Sequence, residues 1–314
     1  MTRRDFLMGG SMAAGGLVAT AALPVLADNP EVFPKRGRWE RLSIAAHHIH
    51  AGASSPFSVL HISDTHLTAA YAHESEWTRK FMHRRTRTFG GRQEEALRDS
   101  LSWAKQHVDY VVHTGDLIDG QSEAVFDLVR KHFGEAQSSL IGCVGNHEYY
   151  HGQKVQNEET KGETRKLVAA AFPFDISLSS NVVNGVNFVS MDNSYGSITE
   201  TQMGRLESEF KKGLPVVICV HCPFTTAGIL RASRKFWSSG NLKAVPDVSN
   251  RKEVEPKADA THKEYIAWLK AQPLLKAILA GHLHITVSER FSPTAMQYCV
   301  GGNFLFHGQE ITFS

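Results

Sequence analysis

Asp64 and His66, one residue apart, open a series of side chains whose types and spacing suit metal chemistry. Gly115-Asp116 follows, with Asp119 three positions on, then Gly145-Asn146-His147-Glu148, then His221, and last Gly281-His282-Leu283-His284. Three aspartates, an amide and at least four imidazoles are the donors a pair of metal ions requires. Two ions side by side take about eight donors, and a carboxylate reaching both fixes their separation at roughly 3.5–4 Å. An Asp-x-His pair lets two ligands leave one strand end toward one ion, and Gly281 permits close backbone approach ahead of His282 and His284. Nitrogen and oxygen donors without thiolate suit zinc, manganese or iron and argue against a structural zinc site.

Such a set works only if the fold brings the pieces together. Each piece follows a short run rich in Val, Ile or Leu: Phe57 to Ile62, Asp109 to His113, Leu140 to Val144, Val216 to Val220, and Leu274 to Ala280. In open α/β sheets ligands collect beyond the carboxyl ends of the strands, so five such strands would deliver one site. Helical periodicity fills the gaps at Arg92 to His107, Ser122 to Phe133, Glu163 to Ala171, Thr201 to Lys212 and Thr261 to Lys270. The alternation predicts an α/β class. Val182 to Asp192 and Met296 to Phe313, with Gly301-Gly302 and His307-Gly308 as turns, read as hairpins or a meander in a second, more antiparallel sheet. Thr68 to Gly91 and Pro223 to Ala260, both basic and aromatic, resist assignment and are long enough to be substrate walls. Arg84, Arg85, Arg231, Arg234 and Trp237 in them are the candidate substrate contacts, the arginines for an anion and Trp237 for stacking.

The five blocks, in this order, resemble the calcineurin-like metallophosphoesterase superfamily over about residues 57 to 290. The resemblance implies a four-layer sandwich of two mixed β-sheets flanked by helices, with a dinuclear centre at their edge. By matching positions, Asp64, His66, Asp116 and His284 would hold one ion and Asp116, Asn146, His221 and His282 the other, Asp116 bridging. His147 matches the histidine that protonates the leaving oxygen or stabilises the transition state, and Asp119 the acid that orients it. Purple acid phosphatases carry a metal-binding tyrosine where this chain has Asp119, which argues against a tyrosinate-coloured iron site. The implied activity is hydrolysis of phosphomonoesters or small phosphodiesters by metal-activated hydroxide. The alternatives are a catalytically silent metal-binding or interaction module of the same fold, or a nuclease or lipid-pyrophosphate hydrolase.

Composition bounds the remainder. The 314 residues are 42% apolar and 21% charged, outside the range of disorder. Thr2-Arg3-Arg4-Asp5-Phe6-Leu7, a Gly/Ala-rich run and Val25-Leu26-Ala27 look like a twin-arginine signal peptide over residues 1–27. That leaves 28–56 as an N-terminal extension or strand and 57–314 as the phosphoesterase domain. Such a signal implies passage through the twin-arginine (Tat) export machinery to the periplasm or outside. Uncleaved, Phe6 to Ala27 is long enough to cross a bilayer, whereas the mature chain holds no such span. Removing residues 1–27 changes the formal charge from +2 to +1, which gives no global argument for nucleic acid. Cys143, Cys219, Cys222 and Cys299 read as buried unpaired thiols. His61 and His113, on strands ahead of the motifs, read as core histidines or supports of the ligands, and His47-His48-x-His50 as strand residues rather than a third metal site.

Overall fold

Phe57 and Val59 pack on one side of β3 (Phe57–Ile62) while Leu60 and Ile62 pack on the other, and that alternation sets the architecture. A computed structural model describes residues 32–34, 41–134, 139–151, 158–196, 198–238 and 260–314. The expected signal segment, residues 1–27, lies outside the described residues. The first sheet holds β1 (Val32–Pro34), β2 (Ser43–Ile49), β3, β4 (Tyr110–Thr114), β5 (Leu140–Cys143) and β12 (His307–Phe313), in the order β1-β2-β12-β3-β4-β5. The second holds β6 (Leu178–Val183), β7 (Val186–Met191), β8 (Val216–Cys219), β9 (Leu275–Ala280), β10 (Val287–Arg290) and β11 (Met296–Cys299), in the order β10-β11-β9-β8-β7-β6. Both are mixed: β3, β4 and β5 run parallel, as do β7, β8, β9 and β11, and antiparallel strands complete each sheet.

Helices cover the outer faces. Leu60, Ile62 and Val111 meet Leu97 and Trp103 of α2 (Gln93–His107), Val125 and Val129 of α3 (Glu123–Gly134), and Val168 of α4 (Glu158–Ala171). On the second sheet Val216 and Ile218 meet Leu206 of α5 (Glu200–Phe210), Ile229 of α6 (Ala227–Ser238) and Leu269 of α7 (Ala260–Lys270). Between the sheets Val59, Val217, Cys219 and Leu279 enclose a stack in which Phe57 lies 5.0 Å from Phe313 and 6.0 Å from Phe188. Each fully buried phenyl contributes roughly 1.5–3 kcal/mol through its area. These are the expected four layers.

Local chemistry marks several element ends. Ser122 Oγ caps α3 by accepting from Val125 N (3.0 Å), and Thr199 with Gln202 forms a capping box at α5. Asn184 and Gly185, at φ 45° and 81°, make the tight turn of the β6–β7 hairpin, which falls where the sequence put one. Met296 to Phe313 departs from expectation. β11 joins the second sheet and β12 the first, Gly301-Gly302 lies on the crossing between them, and His307-Gly308 falls inside β12 rather than at a turn. Alternation along a strand fixes which residues face inward but not which sheet the strand joins.

The unassigned segments contain helices: α1 (Glu76–Thr88), capped by Ser75 Oγ, and α6, while 239–259 lies outside the described residues. All four cysteines are buried and free, with Cys219 facing the inter-sheet core. No helix among the described residues is long and apolar enough to cross a membrane.

Candidate metal centre

The polar residues sit where the strands end. Asp64 and His66 follow β3, Asp116 follows β4, Asn146 and His147 follow β5, His221 follows β8, and His282 and His284 follow β9. The two sheets thus contribute from both sides of one rim. Their turns are tight: Asp64, His66, Asp116, His282 and His284 have φ between 51° and 67°, the left-handed region L residues avoid. Backbone bonds hold these turns, with Asp64 N donating to Gly115 O (3.0 Å), His66 N to Asp116 O (2.9 Å) and Leu283 N to Gly281 O (2.7 Å). A Cβ on Gly281 would collide with Ser63 Oγ and Asp64 Oδ2, and one on Gly145 with Asp116 Oδ1. Only glycine allows these loops to interleave.

Three groups of donors converge, one of which, His66, Asp116 and His147, links the other two. Asp64, His66 and His284 form one, with His66 Nε2 and His284 Nε2 3.2 Å apart and His284 Nε2 3.2 Å from Asp64 Oδ1. Asp116, His221 and His282 form the other, with His221 Nε2 3.2 Å from Asp116 Oδ2 and 3.2 Å from His282 Nδ1. Asp116 Oδ2 also lies 3.8 Å from His66 Nε2, so this carboxylate stands between the groups.

Each aspartate has one oxygen held by a backbone amide: Asp64 Oδ2 accepts from His282 N (2.9 Å) and Asp116 Oδ1 from His147 N (2.9 Å). The second oxygen of each faces the imidazoles, and Asp64 Oδ1 is buried and accepts no hydrogen bond. Imidazole nitrogens facing one another beside an unsatisfied buried carboxylate oxygen fit a bound cation better than a self-contained polar network. His221 Nδ1 donates to Thr114 O (2.8 Å), which fixes the ring with Nε2 turned toward Asp116. Asn146 is buried beside this group, at the head of the single turn His147–Tyr149.

The electrostatics agree. Burial would raise the Asp64 and Asp116 carboxyls, but His284 beside the first and His221 beside the second hold both below the usual carboxylate range. Burial would lower His221, yet the Asp116 charge outweighs it and lifts the imidazole to about 10; burial and cationic His221 push His282 down to about 3. Burial also holds His66 well below its usual value, so His66 and His282 present neutral imidazoles beside the Asp64 and Asp116 carboxylates.

His147 stands at the mouth. Its Nδ1 donates to Asp119 Oδ1 (2.6 Å) and its Nε2 lies 3.9 Å from Asp116 Oδ2. Burial opposes protonation of His147, but Asp116 and Asp119 outweigh it and raise its pKa. Of the candidate substrate contacts, Arg85 is engaged by Asp119, Arg84 is exposed over the Phe81 ring, and Arg231 and Arg234 are exposed on α6. The Trp237 side chain lies outside the described residues. His61 and His113 are buried supports, His61 Nε2 lying 2.9 Å from Thr114 Oγ1 and His113 Nε2 3.0 Å from Thr65 Oγ1. His48 and His50 instead share Ser314 Oγ on the exposed side of β2.

Two groups received no role from the sequence. Glu148, fully buried, accepts from the backbone N–H of Gly145 (2.7 Å), Asp116 (3.1 Å), Leu117 (2.6 Å) and Ile118 (3.3 Å), tying the β4 and β5 loops together. Asn193 Oδ1 accepts from His221 N (3.0 Å) and Cys222 N (2.9 Å), fixing the loop that bears His221. Asn193 follows the apolar β7 as the ligand residues follow their strands, and that position was the available signal.

A family model described as calcineurin-like phosphoesterase matches residues 57–286. No curated protein sequence matches the chain. Among solved structures it is similar to a dimetal phosphatase from Danio rerio, at 14% identity and TM-score 0.47, covering 81% of this chain and 91% of that one. Two longer chains are also similar to it. One is a 5'-nucleotidase from Candida albicans, at 11% identity and TM-score 0.35, with 79% of this chain and 45% of that one covered. The other is an NAD nucleotidase from Haemophilus influenzae, at 11% and 0.39, with 83% and 48% covered.

Proposed function

The chain belongs to the calcineurin-like phosphoesterase family, and from that premise we propose that it is a dinuclear-metal hydrolase of phosphomonoesters or small phosphodiesters. The observation that carries this reading is the convergence of two His/Asp groups on either side of Asp116, with an oriented histidine at their mouth. Asp64, His66, Asp116 and His284 would hold one ion and Asp116, Asn146, His221 and His282 the other, with manganese, iron or zinc suited to these donors. Bound there, the ions supply Lewis acidity toward the phosphoryl oxygens and a hydroxide at neutral pH.

The chain's own residues do the rest. The amide bonds to Asp64 Oδ2 and Asp116 Oδ1 pre-set both carboxylates, so no reorganisation is needed when substrate binds. Asp119 holds His147 Nδ1–H, which turns Nε2 toward the centre as the proton donor for the departing oxygen. We further propose that the protein works in the periplasm or outside the cell after Tat export, a reading that rests on Arg3, Arg4 and Ala27 in the sequence.

The test is hydrolysis of nitrophenyl phosphate and bis-nitrophenyl phosphate by metal-analysed protein. His147→Ala is expected to keep its metal and lose about 10²–10⁴-fold in kcat on phenyl phosphate, whose leaving group needs a proton, and less on the nitrophenyl esters. Asp116→Asn is expected to lose both ions and all turnover. Absence of hydrolysis with manganese, zinc and iron across neutral pH would sink the proposal.

A further inference from the structure

Arg85 sits in the last turn of α1, thirty-four positions before the aspartate it grips. Its Nε donates to Asp119 Oδ2 (2.5 Å) and its Nη2 to Asp119 Oδ1 (3.2 Å), the same oxygen that accepts from His147 Nδ1. The Arg85 side chain is 11% exposed and His147 19%, while Asp119 between them is fully buried. Asp119 is also fixed from behind, its N–H donating to Leu67 O (2.8 Å). A carboxylate with both oxygens in a guanidinium fork cannot rotate away from the imidazole it orients.

The guanidinium is itself held. It lies 5.1 Å over the Phe89 ring, and Phe89, buried, stacks flat on His66 at 4.0 Å and 7°. Phe81 of the same helix stacks on Tyr150 at 5.1 Å, just beyond the turn that carries His147. The basic helix that looked like a substrate wall is therefore joined to both the donor pocket and the histidine at its mouth. Lysine would supply the charge but not the two parallel bonds.

We infer that Arg85 is a positioning residue for proton donation: by fixing both Asp119 oxygens it holds His147 where its Nε2 meets the leaving oxygen. It touches neither substrate nor metal in this role. The inference rests on the phosphoesterase reading above. If wild type hydrolyses no phosphate ester, that reading fails first; the comparison below addresses Arg85 alone, in an active protein.

The discriminating variable is the leaving group. A good one such as 2,4-dinitrophenolate departs without a proton, whereas phenolate departs slowly unless protonated, so loss of the positioned donor penalises phenyl phosphate selectively. For Arg85→Gln we expect kcat on phenyl phosphate to fall roughly 10- to 100-fold, the scale of a misplaced catalytic group. On dinitrophenyl phosphate the change should stay within about threefold, with KM for both and bound metal unchanged, since the expectation concerns proton donation alone. Arg85→Gln combined with His147→Ala should be no slower than His147→Ala alone, because the two act as one unit.

Arg85→Lys, which keeps a charge beside the buried Asp119, should fold as wild type and fall between the two on phenyl phosphate. It serves as the readout if Arg85→Gln fails to fold. An equal loss on both esters, a raised KM, or a double variant slower than His147→Ala by the full Arg85→Gln factor would overturn the inference and make Arg85 a substrate contact. Loss of metal would equally overturn it and make Arg85 a purely structural residue.

Discussion

Five residues around the centre keep a backbone conformation that costs of order 1–3 kcal/mol each for an L residue, and they are ligand candidates rather than glycines. The strain is tolerated because the turns are over-determined by interlocking amides and by glycines that leave no room for a methyl group. Gly145→Ala should therefore displace Asp116 and lower metal content to below half of wild type, measured by elemental analysis of folded protein, although no donor has been removed. The supporting histidines carry a different consequence. Burial holds His61 and His113 at about 3, against 6.5 in an unfolded chain. Below pH 6.5 the unfolded state takes up protons that the folded state refuses, so stability present above 6.5 is lost as pH falls toward 3. Each histidine then costs up to about 1.4 kcal/mol per pH unit. Denaturant melts with a chelator present should steepen in their pH dependence below 6.5, and His113→Gln should remove the share of that slope belonging to one buried histidine, up to about 1.4 kcal/mol per pH unit.

The elements differ in how plainly the sequence declares them. A run such as Val216 to Val220 before His221 names both a strand and its functional end, and all five such ends reach the rim. α1 was hidden because Arg and Lys dominate its composition, while only Phe81 and Met82 are fully buried on its inner side. Arg85 read as a solvated or substrate-facing charge because nothing local announces a partner across thirty-four positions. Glu148 and Asn193 escaped for a related reason: each serves backbone amides of other loops, and amide partners leave no mark in a sequence. The same fact makes Glu148 testable. Glu148→Ala would leave four buried N–H groups without their acceptor, at a cost of about 1–3 kcal/mol for each group that finds no new partner. The total should exceed about 3 kcal/mol by denaturant unfolding, with metal affinity reduced because the Asp116 loop is freed.

At the scale of the molecule, two sheets close on one core and share one rim, so metal binding and folding are linked. Metal bound at a thousandfold excess over its Kd should stabilise the protein by about 4 kcal/mol, read as a Tm rise that a chelator reverses. Removing residues 1–56 should do the opposite in a different way. β12 pairs with β2 along its whole length, from His307 with Ser43 to Phe313 with Ile49, and without β2 it becomes a bare edge. A chain beginning at residue 57 is expected to elute as aggregate in size-exclusion chromatography. The central place of β12 also bears on synthesis. β2 and β3 are made early but are not neighbours, since the strand that joins them is more than two hundred residues downstream. A nascent chain stopped short of residue 307 holds an open slot in the middle of its first sheet, lined by unpaired amides and carbonyls on both sides. Domains that assemble from their N-terminal end as they leave the ribosome have no such interval. This one must keep the slot vacant until its partner strand arrives, and any other extended segment that arrives first competes for it.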